Sequence, residues 1–168
     1  MRKIENLIIH HSDSEFGSRE IIKAWHLDRG FLDIGYNAII CNGYHEISKV
    51  YDHFYDGYLE EGRALDFSRY VEEDEVAAHT LGYNSNSIGV CMIGRSLFSE
   101  KQFAVLAAFC DLFKAINPDI TIIGHYEARS ASTVCPGFNM SNFREYMSET
   151  VRGNGTLLKH LRKWVKST

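Results

Sequence analysis

Two histidines and one cysteine carry the clearest chemical signal in this sequence. His10 follows the apolar run Leu7–Ile9, and His125 follows the run TIIG at residues 121–124. Cys135 comes ten residues after His125, in a loop with Pro and Gly. Two imidazoles and a thiolate leave one open position on a tetrahedral metal, which is typical of a catalytic zinc site. The three residues form a candidate metal set, although their spacing alone does not separate it from ordinary polar groups at strand ends.

The other three cysteines have a different sequence context. Cys41 and Cys91 lie in apolar, strand-like runs, and Cys110 lies on the apolar face of a helical pattern. The four cysteines form no C-x-x-C pair. We therefore expect these three to be small buried side chains and not disulfide partners.

The segments that must position the candidate set alternate between strand and helix patterns. Apolar runs rich in β-formers predict strands at Leu7–His10, Gly35–Cys41, Ser87–Gly94 and Ile120–Gly124. This alternation predicts an α/β fold, a single domain with a central mixed β-sheet flanked by helices. The candidate set would then lie in a surface cleft at the strand ends.

Start and stop signals predict three helices between and after these strands. Ser18 is the predicted N-cap of the first helix and Gly30 its stop. Ser99 and Gln102 form a capping box for the second, and Ser141 is the predicted cap of the third. The predicted helices cover residues 18–29, 100–116 and 141–151.

The C-terminal part of the chain has an unusual charge. We divide the 168 residues into a catalytic domain at 1–150 and a basic amphipathic helix at 151–168, packed on the same domain. The helix segment contains five lysines and arginines and no acidic residue. A solvated helix face explains this charge, and adhesion to an anionic surface is the alternative.

Bulk properties exclude several classes of protein. The formal net charge of −4 argues against a nucleic-acid partner. No apolar run approaches the roughly 18–20 residues that a membrane span requires. The N-terminal stretch lacks a signal-peptide cleavage site, so we expect a protein that is cytoplasmic as synthesised. We also expect a monomer.

Four blocks of sequence occur together in a recognisable order. They are IIHHSDS, REIIKAWHLDRGFLDIGYNAII, AAHTLGYNSNSIGVCMIG and GHYEARSASTVCPGF, and they cover most of residues 7–138. In this combination the chain resembles the zinc-dependent N-acetylmuramoyl-L-alanine amidases of phage-lysozyme type, a family that includes the animal peptidoglycan recognition proteins. The resemblance implies a peptidoglycan hydrolase that cleaves the amide between N-acetylmuramic acid and L-alanine.

The resemblance also implies roles for individual residues. His10, His125 and Cys135 match the three zinc ligands of the family. Tyr36, in DIGYN, matches a tyrosine whose hydroxyl acts at the metal. Thr133 occupies a place that holds lysine in some phage members and threonine in the recognition-protein branch.

Substrate-binding residues are predicted from the loops. By resemblance, His79 and Asn84 border the peptide groove. Arg63 lies in the segment 42–78, which is rich in tyrosine and acidic residues and predicts long loops around small strands. Arg63 and the aromatic residues of this segment would line a glycan cleft or only fold the loop. His11 is expected to point to the opposite face of its strand from His10.

The implied chemistry is metal-assisted amide hydrolysis. Zinc polarises a carbonyl and lowers the pKa of water, while Tyr36 and Thr133 would donate hydrogen bonds to the developing oxyanion. No HExxH glutamate is present, so Tyr36 or the water itself must carry the proton. Glu127 is a weaker candidate for that task.

The preferred interpretation is a phage or prophage endolysin that acts on the bacterial cell wall after release. Two alternatives share its fold: a peptidoglycan-binding module without catalysis, and a cytoplasmic amidase that recycles muropeptides. A cysteine peptidase with Cys135 as nucleophile and His125 as base is a third. An interaction protein that uses its basic C-terminal segment is a fourth.

The segment 42–78 and the loop between His125 and Cys135 are both longer than in compact family members.

Overall fold

A computed structural model describes residues 1–129 and 131–150. Its strands are β1 (Arg2–Lys3), β2 (Asn6–His11), β3 (Ala38–Asn42), β4 (Asp56–Glu61), β5 (Tyr70–Val71), β6 (Ser87–Met92) and β7 (Thr121–Gly124). Its helices are α1 (Arg19–Asp28), α2 (Glu100–Ile116) and α3 (Met140–Thr150). Short 3₁₀ turns occupy Asn84–Asn86 and His125–Glu127.

Five of these strands form one mixed sheet, in the order β4-β3-β6-β2-β7. The neighbours β3, β6, β2 and β7 run parallel, and β4 pairs antiparallel with β3 at one edge. Strands β1 and β5 form a separate antiparallel pair. The predicted α/β class with a mixed central sheet is confirmed.

The sheet is covered on both faces, as parallel sheets generally are. One core cluster joins Phe109 and Phe113 of α2 to alternate residues of β2, including Leu7 and Ile9. A second, smaller cluster joins Ile22 of α1 to side chains of β3 and its neighbours. Every position of β6 is buried, so the middle of the sheet is inaccessible to solvent. The chemically active groups must therefore lie at the ends of the strands.

Two of the three predicted helix starts are confirmed. The Ser18 hydroxyl accepts a hydrogen bond from the Ile21 amide at 3.4 Å, and Ser99 forms its capping box with Gln102. The stop at Gly30 is also confirmed, since α1 ends at Asp28 and Gly30 has φ +85°, a backbone conformation that suits glycine.

The predicted cap at Ser141 is wrong. Helix α3 begins one residue earlier, and the side-chain oxygen of Asn139 accepts hydrogen bonds from the amides of Ser141 (2.8 Å) and Asn142 (3.1 Å). Asn and Ser are both strong N-cap residues, and here the asparagine takes the position.

The strand predicted from Gly35 begins only at Ala38. The Gly35 amide donates to Nδ1 of His26 in α1 at 2.8 Å. This bond holds Gly35 and Tyr36 against α1 and outside the sheet, which places the Tyr36 ring near the strand ends. The predicted strands at 87–94 and 120–124 are confirmed with shorter bounds.

Other expectations can be compared directly with the structure. Cys41, Cys91 and Cys110 are buried, and all four cysteines are free. The segment 42–78 contains loops around the small strands β4 and β5, as predicted. None of the helices in the described residues is long and apolar enough to cross a membrane. The amphipathic helix predicted at 151–168 lies outside the described residues.

Candidate metal centre and active site

The first donor residue, His10, lies in β2 near the middle of the sheet. Its backbone pairs with Cys91 of β6, and the residue is only 1% exposed. The imidazole centroid lies 4.5 Å from that of His125 and 5.2 Å from the ring of Tyr36. The sheet therefore fixes His10 among groups that the sequence predicts to act together.

His125 reaches the same place because its strand runs parallel to β2. Ile9 pairs with Gly124 in register, so the next residue of each strand lies at the same end of the sheet. The 3₁₀ turn that begins at His125 then bends the chain away from the strand. His125 is half-buried.

Cys135 closes the group from the loop that follows. Its sulfur lies 3.7 Å from Nδ1 of His10 and accepts a hydrogen bond from the His11 amide at 3.3 Å. The carbonyl of Cys135 accepts from the Tyr126 amide at 2.8 Å, which ties the two ends of the loop together. We call His10, His125 and Cys135 the first cluster.

The first cluster has the dimensions of a metal site. One donor atom from each residue lies within 4.8 Å of the others. Zinc bond lengths of about 2.0–2.1 Å to nitrogen and 2.3 Å to sulfur give a nitrogen–sulfur separation of about 3.6 Å in a tetrahedron. The Cys135–His10 distance of 3.7 Å matches that separation. The donor set and its geometry therefore fit a zinc-like cation.

The surroundings keep both imidazoles neutral, the form that binds a metal. Burial lowers the pKa of His10 well below its usual range, and the nearby His79 and His125 lower it further. Burial also lowers the pKa of His125. The Cys135 thiol has its pKa raised to about 12 by burial, so a bound cation would have to displace its proton.

A chain of hydrogen bonds sets the tautomer of His10. The Ser87 hydroxyl donates to the Tyr83 carbonyl at 2.7 Å, so its oxygen is left to accept from Nε2 of His79 at 3.3 Å. Nδ1 of His79 then accepts from Nε2 of His10 at 3.1 Å. This order of donors leaves Nδ1 of His10 with a free lone pair on the side of Cys135.

His79 can take this position because residue 89 is glycine. A Cβ on Gly89 would lie 2.6 Å from the His79 ring, closer than atoms can approach. Burial lowers the pKa of His79 to about 3, which keeps the ring neutral. The structure thus places His79 behind the first cluster, in contact with His10 and β6.

Tyr36 also contacts the His10 ring, with the ring centroids 5.2 Å apart. Burial raises the pKa of its hydroxyl, and the thiols of Cys91 and Cys135 are close enough to raise it further. The hydroxyl keeps its proton and donates a hydrogen bond to the Cys91 thiol, close to Cys135 of the first cluster. A phenol in that position can donate a hydrogen bond to an anion that forms beside the metal set.

Comparison with known proteins agrees with this arrangement. The profile of the N-acetylmuramoyl-L-alanine amidase family matches residues 1–138. The chain belongs to this family. The amidase-family chain is 31% identical to the endolysin of Escherichia phage T7 over 137 residues, which are 77% of this chain and 75% of the relative. It is 28% identical to a peptidoglycan-recognition protein of Drosophila melanogaster, over 84% of this chain and 73% of the relative.

Solved structures show the same fold. The N-acetylmuramoyl-L-alanine amidase LysC from Clostridium intestinale URNW superimposes with a TM-score of 0.68 at 20% identity, over 88% of this chain and 87% of LysC. The bumblebee recognition protein PGRP-SA superimposes with a TM-score of 0.58 at 28% identity, over 82% of this chain and 77% of the other. The sheet and helices of this amidase-family chain are thus the common framework.

Thr133 is the exposed member of the predicted amidase site. Its hydroxyl oxygen accepts a hydrogen bond from the Cys135 amide at 3.1 Å, which leaves the hydroxyl proton available to another acceptor. Glu127 is held elsewhere, since one carboxylate oxygen accepts from the Gly124 amide and the Arg144 guanidinium.

Two residues predicted to bind substrate have structural partners. The side-chain oxygen of Asn84 accepts from the amides of His79 (3.0 Å) and Thr80 (2.8 Å), so it shapes the loop that carries His79. Nε of Arg63 donates to the Ile34 carbonyl at 2.8 Å. Arg63 lines a cavity of about 710 Å³ beside the edge strand β4, whose lining includes none of the first cluster.

Sequence reasoning missed the residues that support the site. Ser87 and Thr80 both contact the His79 ring, and Thr80 also lies 3.4 Å from Nε2 of His10. Nothing in their spacing indicates these contacts, because residues 10 and 80 meet only through the sheet. His11 is not part of the donor group, and its Nδ1 accepts from the Asp13 amide at 3.1 Å.

Proposed function

We propose that this protein is a zinc-dependent N-acetylmuramoyl-L-alanine amidase that hydrolyses the amide between N-acetylmuramic acid and L-alanine in peptidoglycan. The observation that carries the proposal is the first cluster, whose three donor atoms lie within 4.8 Å in a chain of the amidase family. His10, His125 and Cys135 would hold the zinc. Bound zinc would polarise the amide carbonyl and activate water for attack.

Two side chains near the first cluster would stabilise the transition state. Tyr36 and Thr133 would donate hydrogen bonds to the oxygen that becomes negative in the transition state. The Tyr36 ring lies 5.2 Å from that of His10, and Thr133 lies in the exposed loop before Cys135. The two donors lie on different segments of the chain, and together they would fix the orientation of the reacting carbonyl.

His79 would act as a positioning residue. Its Nδ1 accepts a hydrogen bond from Nε2 of His10. Outer partners of this kind orient a ligand ring and raise metal affinity. The substrate-binding role that the sequence predicts for His79 remains a second hypothesis, which a separate measurement can distinguish.

A lytic role is supported by the relatives. The endolysins of Enterobacteria phage K11 and Escherichia phage T7 both match about three quarters of this chain. We propose that the protein acts as an endolysin on the bacterial cell wall, with a muropeptide as its substrate. The recycling amidase and the binding module remain alternatives that the same assay separates.

The decisive experiment measures release of new amino termini from purified peptidoglycan. The protein is assayed as prepared, after chelation, and after zinc is added back, together with Cys135→Ser and the matched control Cys110→Ser. We expect free L-alanine amino termini that chelation abolishes and zinc restores. Cys135→Ser should release none, and Cys110→Ser should remain active because Cys110 lies inside α2, away from the site.

Other outcomes would identify a different function. Release that persists after chelation but stops on thiol alkylation would indicate the cysteine peptidase. Retention of peptidoglycan with zinc bound and no release would indicate the binding module. Release from soluble muropeptides but not from intact walls would indicate the recycling amidase.

A further inference from the structure

A second group of donor side chains lies under α1, away from the first cluster. Cys41 of β3, His45 in the turn that follows, and Glu60 of β4 each contribute one donor atom, and these atoms lie within 4.8 Å of one another. We call these three residues the second cluster. Neither the sequence motifs nor the proposed amidase reaction uses any of them.

The Glu60 carboxylate is held in place by contacts to both of its oxygens. One carboxylate oxygen accepts from the Arg19 amide at 2.6 Å, at the N-terminus of α1. The other oxygen lies 2.6 Å from Nε2 of His45. The Arg19 amide is one of the donors that the first turn of a helix leaves unpaired, so this contact orients the carboxylate. The Glu60 side chain is only 12% exposed, and its charge is therefore poorly screened by water.

His45 is held in place by an aromatic contact. Its ring stacks on Tyr55 with centroids 3.8 Å apart and an interplanar angle of 18°. The stacked ring presents Nε2 to the Glu60 carboxylate. The imidazole is thus oriented before any ligand arrives, which lowers the entropy lost on binding.

Cys41 completes the second cluster from the core side. It is fully buried, its thiol hydrogen-bonds Glu60, and burial raises its pKa. The pairing of β3 with β4 is irregular between Ile40 and Asn42, at the position of Cys41. A thiol with no exposed surface cannot attack a substrate, but it can bind an ion that enters from the side of the other two residues.

We propose that Cys41, His45 and Glu60 bind a second divalent cation of the zinc class. Thiolate, imidazole and carboxylate are all zinc ligands, whereas a thiolate disfavours magnesium and calcium. The thiolate and carboxylate together would neutralise a dication, and the thiol proton would leave on binding. The 2.6 Å separation of His45 and Glu60 would widen to about 3.3 Å, as a tetrahedral ion requires.

This second cation would be structural. It would join β3, β4 and the N-terminus of α1, because Glu60 already contacts the Arg19 amide. None of its ligands contacts the first cluster in the described contacts. Loss of the second cation should therefore lower thermal stability more than it lowers the catalytic rate.

The test counts cations and thiolate ligands in metal-free protein to which zinc or cobalt(II) is returned. Native mass spectrometry gives the stoichiometry, and cobalt–thiolate absorption shows whether each ion has a sulfur ligand. We expect two bound ions in the wild type and in Cys110→Ser. Cys41→Ser and Cys135→Ser should each bind one ion and show half of the absorption, and the double variant should show none.

The proposal is overturned if Cys135→Ser binds no cation and shows no cobalt–thiolate absorption. Cys135→Ser tests the second site even if Cys41→Ser fails to fold, because Cys135→Ser leaves the second cluster intact. Zinc should also raise the melting temperature of Cys135→Ser, and Glu60→Gln introduced into that variant should remove the shift. Because the second cluster is read out in the absence of Cys135, failure of the amidase proposal would not affect the result.

Discussion

The two clusters contain similar atoms but lie in very different parts of the fold. The first cluster joins residues 10, 125 and 135, which parallel strands bring together from distant parts of the chain. The second joins residues 41 and 60 of one antiparallel pair and residue 45 of the segment that connects its strands. In the first, His125 is half-buried and Thr133 is exposed. In the second, the donors already bond to one another.

This difference shows that a site able to bind an ion needs fewer features than a site able to catalyse a reaction. Donor atoms within reach of one another are sufficient to hold an ion. A reaction also needs open space on one side of the ion and further donors that the ligands do not occupy. The first cluster has a further donor in the exposed Thr133, whose hydroxyl proton is left available by its contact with the Cys135 amide.

Removing one imidazole from each cluster gives the largest contrast. We expect His125→Ala to lower kcat/KM by more than about 100-fold, because even the outer partners of a metal ligand contribute about 10–100-fold. His45→Ala should chiefly lower the melting temperature of the zinc-loaded protein. Amino-terminus release and thermal unfolding measure the two effects, and equal losses of activity would contradict the distinction.

The Tyr36 hydroxyl tests the donors around the first cluster. Tyr36→Phe should lower kcat by about 10²–10³-fold, the usual cost of losing one oxyanion donor, with little change in KM. The exposed Tyr70 provides the matched control, since Tyr70→Phe should leave both parameters unchanged. A rise in KM with unchanged kcat would instead assign Tyr36 to substrate binding.

The positioning role of His79 predicts a smaller, more specific effect. His79→Ala should weaken zinc binding at the first cluster by about 10–100-fold, because His10 loses the acceptor that orients it. Competition with a chromophoric chelator measures this affinity, and the exposed His53→Ala serves as control. Unchanged zinc affinity with a raised KM would support the groove contact predicted from the sequence.

Arg63 should show the smallest effect. Its guanidinium donates to the Ile34 carbonyl, so Arg63→Ala should lower the free energy of unfolding by about 1–2 kcal/mol. We expect KM on peptidoglycan to stay the same. Urea unfolding and steady-state kinetics check the two expectations, and a large rise in KM would restore Arg63 to the substrate-binding cleft.

The sequence predicted the elements whose signals are local. The capping box at Ser99 and the apolar run before His10 depend on neighbouring residues, so both could be identified from the sequence. The Ser141 cap failed because Asn139, two residues earlier, is an equally good N-cap. A local signal identifies the type of element better than its first residue.

Contacts between distant residues could not be predicted in the same way. The bond between His10 and His79 depends on the order of strands in the sheet and on a glycine at position 89. The second cluster was also hidden, since Cys41 lies in an apolar run and Glu60 lies in a weakly periodic segment. Side-chain chemistry was present in the sequence, but the partner of each group was not.

The pairing of β2 with β7 has a consequence for synthesis. Roughly 110 residues separate the two strands, so a ribosome working at about 5–20 residues per second exposes β2 on the order of ten seconds before β7. During that interval the apolar edge of β2 has no neighbour on one side, and two donors of the first cluster do not yet exist. The nascent chain would therefore bring His10, His125 and Cys135 together only after residue 135 has left the ribosome.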